Sequence, residues 1–223
     1  MNGIAALLTL LFPEKCVLCG HVLKKTELDL CGKCLPDQPD CPVSNDKYPY
    51  LDKWTALWLY QDNVRRSLLK YKFYGRRNYA AAYGRLLSMK LLRFDRADVD
   101  VITWIPISEK RKRKRGFDQV ELLAEKMSAE LQIPGVQLLW KRRDNPQQSK
   151  IVGHAQRRAN VLGAYEAINR DQLVGKRILL LDDILTTGAT AGECARVLLE
   201  AGAKEVHFAA VAAARKKNQD RKV

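Results

Sequence analysis

The feature that most constrains the fold of this chain is a string of residues from 178 to 190. A short, continuous apolar run at 178–181 leads directly into two acids, Asp182 and Asp183. A loop of threonine, glycine and alanine follows, and a helical pattern begins at about residue 191. Apolar strands that alternate with helices are typical of parallel sheets covered on both faces. The string therefore predicts an α/β fold whose ligands bind beyond the carboxyl ends of the strands.

The loop after the two acids has the composition of a phosphate site. Its backbone N–H groups and hydroxyls can surround a phosphate, and the start of the next helix adds a positive end. The alternative is an ordinary helix start with a threonine-rich turn. The string is neither a P-loop nor a dinucleotide fingerprint. The residues of the loop are Thr186, Thr187, Gly188, Ala189 and Thr190.

The two adjacent acids point to a second ligand group. Two carboxylates side by side repel each other, and a sugar diol or a metal ion would relieve that repulsion. A phosphate at one end of the string and hydroxyl-binding acids at the other suit a ribose 5-phosphate.

Apolar periodicity along the rest of the chain extends the α/β pattern. The predicted strands lie at 54–60, 99–107, 178–181 and 206–213, and the predicted helices at 64–73, 79–94, 117–131 and 191–201. The expected architecture is a parallel sheet with helices on both faces, preceded by a small cysteine-rich unit.

Five of the six cysteines lie between residues 16 and 41, and four of these follow the pattern C-x2-C-x11-C-x2-C. Two such turns facing each other form a tetrahedral thiolate cage, which suits a structural zinc ion with no open position. The alternatives are free thiols or a redox Cys-x2-Cys pair. The predicted ligands are Cys16, Cys19, Cys31 and Cys34. Cys41 is expected to be a bystander and Cys194 a core residue on a helix.

The expected organisation has three parts. Residues 1–45 hold a short apolar helix and the zinc knuckle, residues 46–215 the α/β domain, and residues 216–223 a basic tail. Prolines between residues 36 and 49 indicate a linker up to about residue 50. The first 13 residues are too short to span a bilayer, which needs about 20 residues, so we favour a docked helix over a membrane or partner anchor. With no spanning stretch and with reduced thiols for metal, a cytoplasmic location is expected.

The chain has a formal net charge of +14, and 47% of its residues are apolar. This apolar content excludes a disordered basic tail, and the charge favours anionic partners. Residues 110–115 are six consecutive cations. Three interpretations are open for them: a solvated loop, an anion-binding hood, and a nucleic-acid surface. Most aromatic residues lie on strands or helix faces and are expected in the core. His207 lies in a predicted strand and is expected to be a structural, hydrogen-bonded histidine.

Two sets of motifs resemble known families. Residues 180–190 look like the phosphoribosyl-pyrophosphate motif of type I phosphoribosyltransferases. A second set comprises Ile105, Pro106, Arg115, Gly116, Phe117, Asp118, Gln119, Gln148, Arg157, Asn160 and Val161. This set resembles ComF/GntX-type proteins, which couple an N-terminal cysteine knuckle to a phosphoribosyltransferase-like domain. Asp118 departs from that family, which usually has asparagine there.

The resemblance implies roles for individual residues. Asp182 and Asp183 would hydrogen-bond the ribose 2- and 3-hydroxyls, directly or through Mg²⁺, and loop 186–190 would hold the 5-phosphate. The pyrophosphate would lie against a short loop and beneath a mobile hood formed by residues 110–115. The residues implied for that subsite are Pro106, Ile107, Ser108, Lys110, Arg111 and Arg115.

Two functions follow from the resemblance. As an enzyme, the protein would bind phosphoribosyl pyrophosphate with Mg²⁺ and transfer ribose 5-phosphate to a nitrogen nucleophile, in DNA uptake or in nucleotide-linked metabolism. As a binding module, it would keep that site without turnover and would bind single-stranded DNA and a helicase-like partner. The motifs favour ligand binding and identify no general base.

Overall fold

The computed structural model describes residues 13–44, 46–94, 97–144 and 154–214. The predicted N-terminal helix, Gln148 and the basic tail lie outside the described residues, as does the side chain of Arg157. The strands are β1 (Lys53–Leu59), β2 (Val101–Trp104), β3 (Leu139–Lys141), β4 (Tyr165–Ala167), β5 (Arg177–Leu185) and β6 (Glu205–Ala213). The α-helices are α1 (Asp62–Phe73), α2 (Tyr79–Arg93), α3 (Glu109–Arg115), α4 (Gln119–Leu131), α5 (His154–Val161) and α6 (Ala189–Glu200).

Four strands form a parallel sheet in the order β1-β6-β5-β2. The apolar run of β5 is buried on both sides: Ile178 and Leu180 pack towards α6, and Leu179 and Leu181 pack towards α1, α2 and α4. A strand buried on both faces needs a continuous apolar sequence, which is what the run provides. The predicted α/β class, with helices on both faces of a parallel sheet, is confirmed.

A small second sheet was not predicted. β3 and β4 pair antiparallel, with Leu139 opposite Ala167. Each strand has three residues, which is too short for a recognisable period of two. This small sheet packs on the α6 side of the main sheet, where its buried residues Leu139 and Tyr165 join the core.

The segment predicted to be a linker is packed along β1. Leu59 N–H donates to the Pro39 carbonyl at 2.7 Å, and Cys41 N–H donates to the Leu57 carbonyl at 3.2 Å. The buried Lys90 ammonium donates to the carbonyls of Cys41 and Leu57 at 2.5 and 3.1 Å. A buried ammonium needs such partners, so residues 39–41 are fixed to the sheet rather than free.

Among the described residues, no helix is long and apolar enough to cross a membrane.

Candidate functional site

A cavity of about 460 Å³ opens at the carboxyl ends of β2 and β5. In parallel α/β folds this is the edge where ligands bind. Its walls come from α1, the turn after β2, α3, α4, the small sheet of β3 and β4, α5 and the loop after β5. Ten of the thirteen residues predicted to bind the ligand line it: Pro106, Ile107, Arg111, Arg115, Asp182, Asp183, Thr186, Gly188, Ala189 and Thr190.

The loop between β5 and α6 has the local geometry of an anion site. Gly188 adopts a φ of +76° immediately before the first residue of α6. Ala189 N–H donates to Thr187 Oγ1 at 3.4 Å, which gives Thr187 a structural contact within the loop. Because Ala189 and Thr190 line the cavity, the positive N-terminal end of α6 faces the space that an anion would enter.

Tyr48 packs against this loop and leaves no room for a side chain at position 188. A Cβ atom on Gly188 would lie 2.2 Å from Tyr48 Cδ1. The Tyr48 ring also meets Trp54 edge to face, with centroids 5.5 Å apart. Glycine is therefore required at 188 both by its backbone conformation and by close packing.

Asp182 and Asp183 lie within β5, not in a loop after it, because the strand continues to Leu185. Successive side chains of a strand point to opposite faces. Asp183 faces α1 and α4, where Lys72 Nζ lies 2.9 Å from its Oδ1 and Gln119 Nε2 donates to its Oδ2 at 2.8 Å. The two side chains therefore point to opposite faces of β5, and Lys72 compensates part of the charge of Asp183.

Asp182 has different surroundings on the other face. Its Oδ1 accepts the N–H of Asp183 at 2.7 Å. Burial, with the charge of Asp183 as the second cause, raises the pKa of Asp182 well above its usual range. Lys141 Nζ, in the same cavity, donates to Tyr165 Oη at 3.1 Å. Burial lowers the pKa of Lys141.

The turn after β2 is held by Asp118. Its Oδ2 accepts the N–H of Ile107 at 2.9 Å, and its Oδ1 accepts those of Val120 and Glu121 at 2.8 and 3.4 Å. A carboxylate accepts all three, whereas an asparagine amide would turn its NH₂ group towards one of these donors. Asp118 therefore suits this turn and caps α4 at the same time. Burial raises its pKa.

The six consecutive cations form a helix, so the prediction of a loop at 110–115 is wrong. Ser108 accepts the N–H of Arg111 at the start of α3, and Gly116, with a φ of +77°, ends the helix. Ser108 also donates to Asp144 Oδ1 at 2.5 Å. Ser108 is a capping residue and does not line the cavity.

This helix divides the basic run among three environments. Arg111 and Arg115 line the cavity. Lys112 forms an ion pair of 2.7 Å with Glu121. The remaining cations are exposed and do not line the cavity: Lys110, Arg113 and Lys114. The anion-binding interpretation thus fits two members of the run, and the solvated interpretation fits three.

Four further residues of the cavity were missed from the sequence: Lys72, Gln119, Lys141 and Tyr165. Gln119 belongs to the quoted ComF-type motif, but no role was assigned to it. Lys72 is one of two cations in the last turn of α1, and nothing in the sequence distinguishes it from Lys70. Lys141 and Tyr165 lie in three-residue strands, so only the fold brings them to the cavity.

The four predicted zinc ligands come together. The sulfur atoms of Cys16, Cys19, Cys31 and Cys34 all lie within 4.8 Å of one another. Cys19 Sγ and Cys31 Sγ are 3.6 Å apart, close to the spacing of about 3.8 Å that a tetrahedron with Zn–S bonds of about 2.3 Å requires. The donor set and its spacing are compatible with structural zinc.

The knuckle is attached to the α/β domain by its inner surface. Ser67 of α1 donates to the Val17 carbonyl. Arg85 of α2 binds the buried Asp29 carboxylate through two N–H groups, at 3.0 and 2.5 Å. The knuckle and these helices share one buried cluster. Folding of the knuckle therefore contributes to the stability of the helices.

The other residues singled out in the sequence are mostly in the core. Cys41 and Cys194 are buried apart from the four clustered cysteines. Trp140 is an exception among the tryptophans, with 40% of its surface exposed. His207 is buried with Nε2 3.3 Å from Glu205 Oε2, but its Nδ1 has no hydrogen-bond partner among the described residues, so the expected hydrogen bonding is incomplete.

The chain is similar to several known proteins. A sequence profile of the phosphoribosyl transferase domain matches residues 114–223. Competence protein F of Haemophilus influenzae is 25% identical over 195 residues, which cover 84% of this chain and 81% of the relative. Competence protein ComFC of Streptococcus pneumoniae is 34% identical over 151 residues, covering 68% of this chain and 64% of the relative. A solved structure of the allosteric regulatory enzyme of purine biosynthesis is 24% identical, with a TM-score of 0.41, covering 63% of this chain and 29% of that chain.

The fold and the profile match define a phosphoribosyltransferase-like domain. Together with the curated relatives and the four-cysteine cluster, they support a phosphoribosyltransferase-like protein similar to the ComF type.

Proposed function

We propose that this protein binds phosphoribosyl pyrophosphate together with Mg²⁺ in the cavity at the carboxyl ends of β2 and β5. One observation carries the proposal: a single strand and loop place two carboxylates and a glycine-containing helix N-terminus in the same cavity. Asp182 and Asp183 would bind the ribose hydroxyls, and the backbone and hydroxyls of residues 186–190 would bind the 5-phosphate.

The charges around the cavity fit a ligand with several phosphates. Arg111, Arg115, Lys72 and Lys141 line it, against the carboxylates of Asp182 and Asp183. Guanidinium groups match the geometry of phosphate oxygens, so Arg111 and Arg115 would hold the pyrophosphate beside the turn at Pro106 and Ile107. Carboxylate oxygens are the ligands that Mg²⁺ prefers, and the bound ion would supply neutralisation of the leaving pyrophosphate.

As an enzyme, the protein would catalyse a glycosyl transfer. The bond between ribose C1 and the pyrophosphate oxygen would break, and a bond from C1 to a nitrogen nucleophile would form. The residues of this chain would bind and orient the ribose 5-phosphate and stabilise negative charge on the departing pyrophosphate.

Replacing both acids should weaken ligand binding. We expect Asp182→Asn with Asp183→Asn to weaken phosphoribosyl pyrophosphate binding by tenfold or more, because a hydrogen bond to a charged group contributes about 1.5–3 kcal/mol. Calorimetry with Mg²⁺ on the full chain measures this. Asp171→Asn, an exposed acid outside the cavity, is the matched control. Unchanged affinity in the double variant would show that the ribose assignment is wrong.

We further propose that the protein serves DNA uptake, because two of its relatives are named competence proteins. One observation favours an additional single-stranded DNA surface: Lys110, Arg113 and Lys114 are exposed on α3 outside the cavity. Such cations bind a nucleic-acid backbone without reading its sequence. A helicase-like partner would act on the same DNA. The thiols available for zinc suit a cytoplasmic location.

One triple variant and one double variant should separate the DNA surface from the ligand cavity. Neutralising Lys110, Arg113 and Lys114 to glutamine should lower the salt slope of single-stranded DNA binding by about 2, at about 0.7 for each phosphate contact. It should leave phosphoribosyl pyrophosphate affinity unchanged. Arg111→Gln with Arg115→Gln should do the reverse. Fluorescence anisotropy over a salt series measures DNA binding, and calorimetry measures phosphoribosyl pyrophosphate binding. If both variants affect both ligands equally, the DNA surface and the ligand cavity are not separate.

A further inference from the structure

The position of Lys72 gives the ligand cavity a cation of its own. Lys72 lies in the last turn of α1, and its Nζ is 2.9 Å from Asp183 Oδ1. The two side chains are only 18% and 8% exposed. A buried carboxylate is costly without a partner charge, and Lys72 supplies that charge to Asp183 within the cavity.

The second oxygen of Asp183 is fixed from another helix. Gln119 Nε2 donates to Oδ2 at 2.8 Å, and Gln119 Oε1 in turn accepts from Arg115 Nη1 at 2.8 Å. Arg115 is held over the Phe73 ring, with 4.9 Å between its Cζ and the ring centroid. The carboxylate is thus oriented from both α1 and α4. Each oxygen still has a second lone pair that can accept a hydroxyl.

A divalent cation would otherwise supply the positive charge beside such an acid. We infer that Lys72 supplies this positive charge instead and is the positioning residue that holds Asp183 for the ribose diol. The ribose 5-phosphate half of the ligand then binds without a divalent cation. This inference rests on the proposed function. The metal ion then contributes only to binding of the pyrophosphate half.

The test is calorimetry of the full chain with ribose 5-phosphate, in EDTA and in Mg²⁺. The wild-type protein should bind with less than a threefold difference between the two media. Lys72→Gln should bind about tenfold or more weakly in EDTA, as expected for the loss of a charge-assisted contact. Lys72→Arg should restore most of the affinity. Inorganic pyrophosphate should bind in a Mg²⁺-dependent way to every variant.

Lys70→Gln is the matched control, because Lys70 lies in the same helical turn and does not line the cavity. Thermal unfolding of each variant confirms that it is folded. In an Asp183→Asn background, Lys72→Gln should have no further effect, because the lysine acts through that carboxylate.

Three outcomes would overturn the inference while leaving the proposed function intact. The first is a tenfold loss of wild-type affinity for ribose 5-phosphate in EDTA. The second is an unchanged affinity of Lys72→Gln for ribose 5-phosphate in EDTA. The third is a loss of affinity in Lys72→Gln that is confined to inorganic pyrophosphate. Failure of the wild-type protein to bind either ribose 5-phosphate or phosphoribosyl pyrophosphate in both media would overturn the proposed function, and this inference with it.

Discussion

Replacing Gly188 with alanine is expected to weaken phosphoribosyl pyrophosphate binding by at least tenfold and to destabilise the fold by about 2–4 kcal/mol. Two causes add. The backbone at 188 has a φ of +76°, which costs an L-residue about 1 kcal/mol or more. The new Cβ would also lie 2.2 Å from Tyr48 Cδ1, so the loop or the ring must move, and the phosphate-binding N–H groups move with the loop.

Gly175→Ala separates the two causes. Gly175 has a similar φ of +70°, and a Cβ there would meet nothing within 4 Å, so this variant carries only the backbone strain. Tyr48→Ala in the Gly188→Ala background should restore part of the affinity by removing the clash. Calorimetry and thermal unfolding measure both effects. If Gly188→Ala and Gly175→Ala behave alike, close packing at Tyr48 does not shape the loop.

Replacing Cys31 with serine is expected to destabilise the fold strongly. If the four thiolates hold zinc, as proposed, the variant should lose the ion and with it more than about 4 kcal/mol of folding free energy. The loss should reach the α/β domain, because Cys31 belongs to the same buried cluster as Leu68 of α1 and Leu87 of α2. Metal analysis and thermal unfolding measure it.

Cys41→Ser is the control for the zinc site. Cys41 is also buried, but it lies outside the cluster of four thiols. Its replacement should leave the zinc content at one ion per chain and lower stability far less. Equal zinc content in the wild-type protein and Cys31→Ser would contradict the assignment of the ligands.

The sequence predicted the features that depend on local pattern. The buried run of β5 and the two Cys-x2-Cys pairs each fall within a short segment, so the strand and the cluster of four cysteines can be predicted directly. Charge patterning misled at 110–115, where six like charges suggested a loop. The helix forms there because Ser108 caps its start, Gly116 ends it, and its exposed face keeps the cations in water.

The rest of the cavity depends on packing between distant segments. Lys72 and Gln119 meet Asp183 only because α1 and α4 cover the same face of the sheet. Tyr48 reaches Gly188 from a segment that looked like a linker. Asp182 and Asp183 point to opposite faces because β5 continues past them to Leu185. The sequence did not predict this, because element boundaries are the least reliable part of a prediction from sequence.

The most direct test of the central claim is a crystal structure of the full chain with phosphoribosyl pyrophosphate and Mg²⁺. We predict the 5-phosphate within hydrogen-bond distance of the backbone N–H groups of residues 187–190, and the ribose hydroxyls against Asp182 and Asp183. The pyrophosphate should lie beside Arg111 and Arg115. Density for the ligand outside this cavity, or a 5-phosphate away from the loop after β5, would contradict the account.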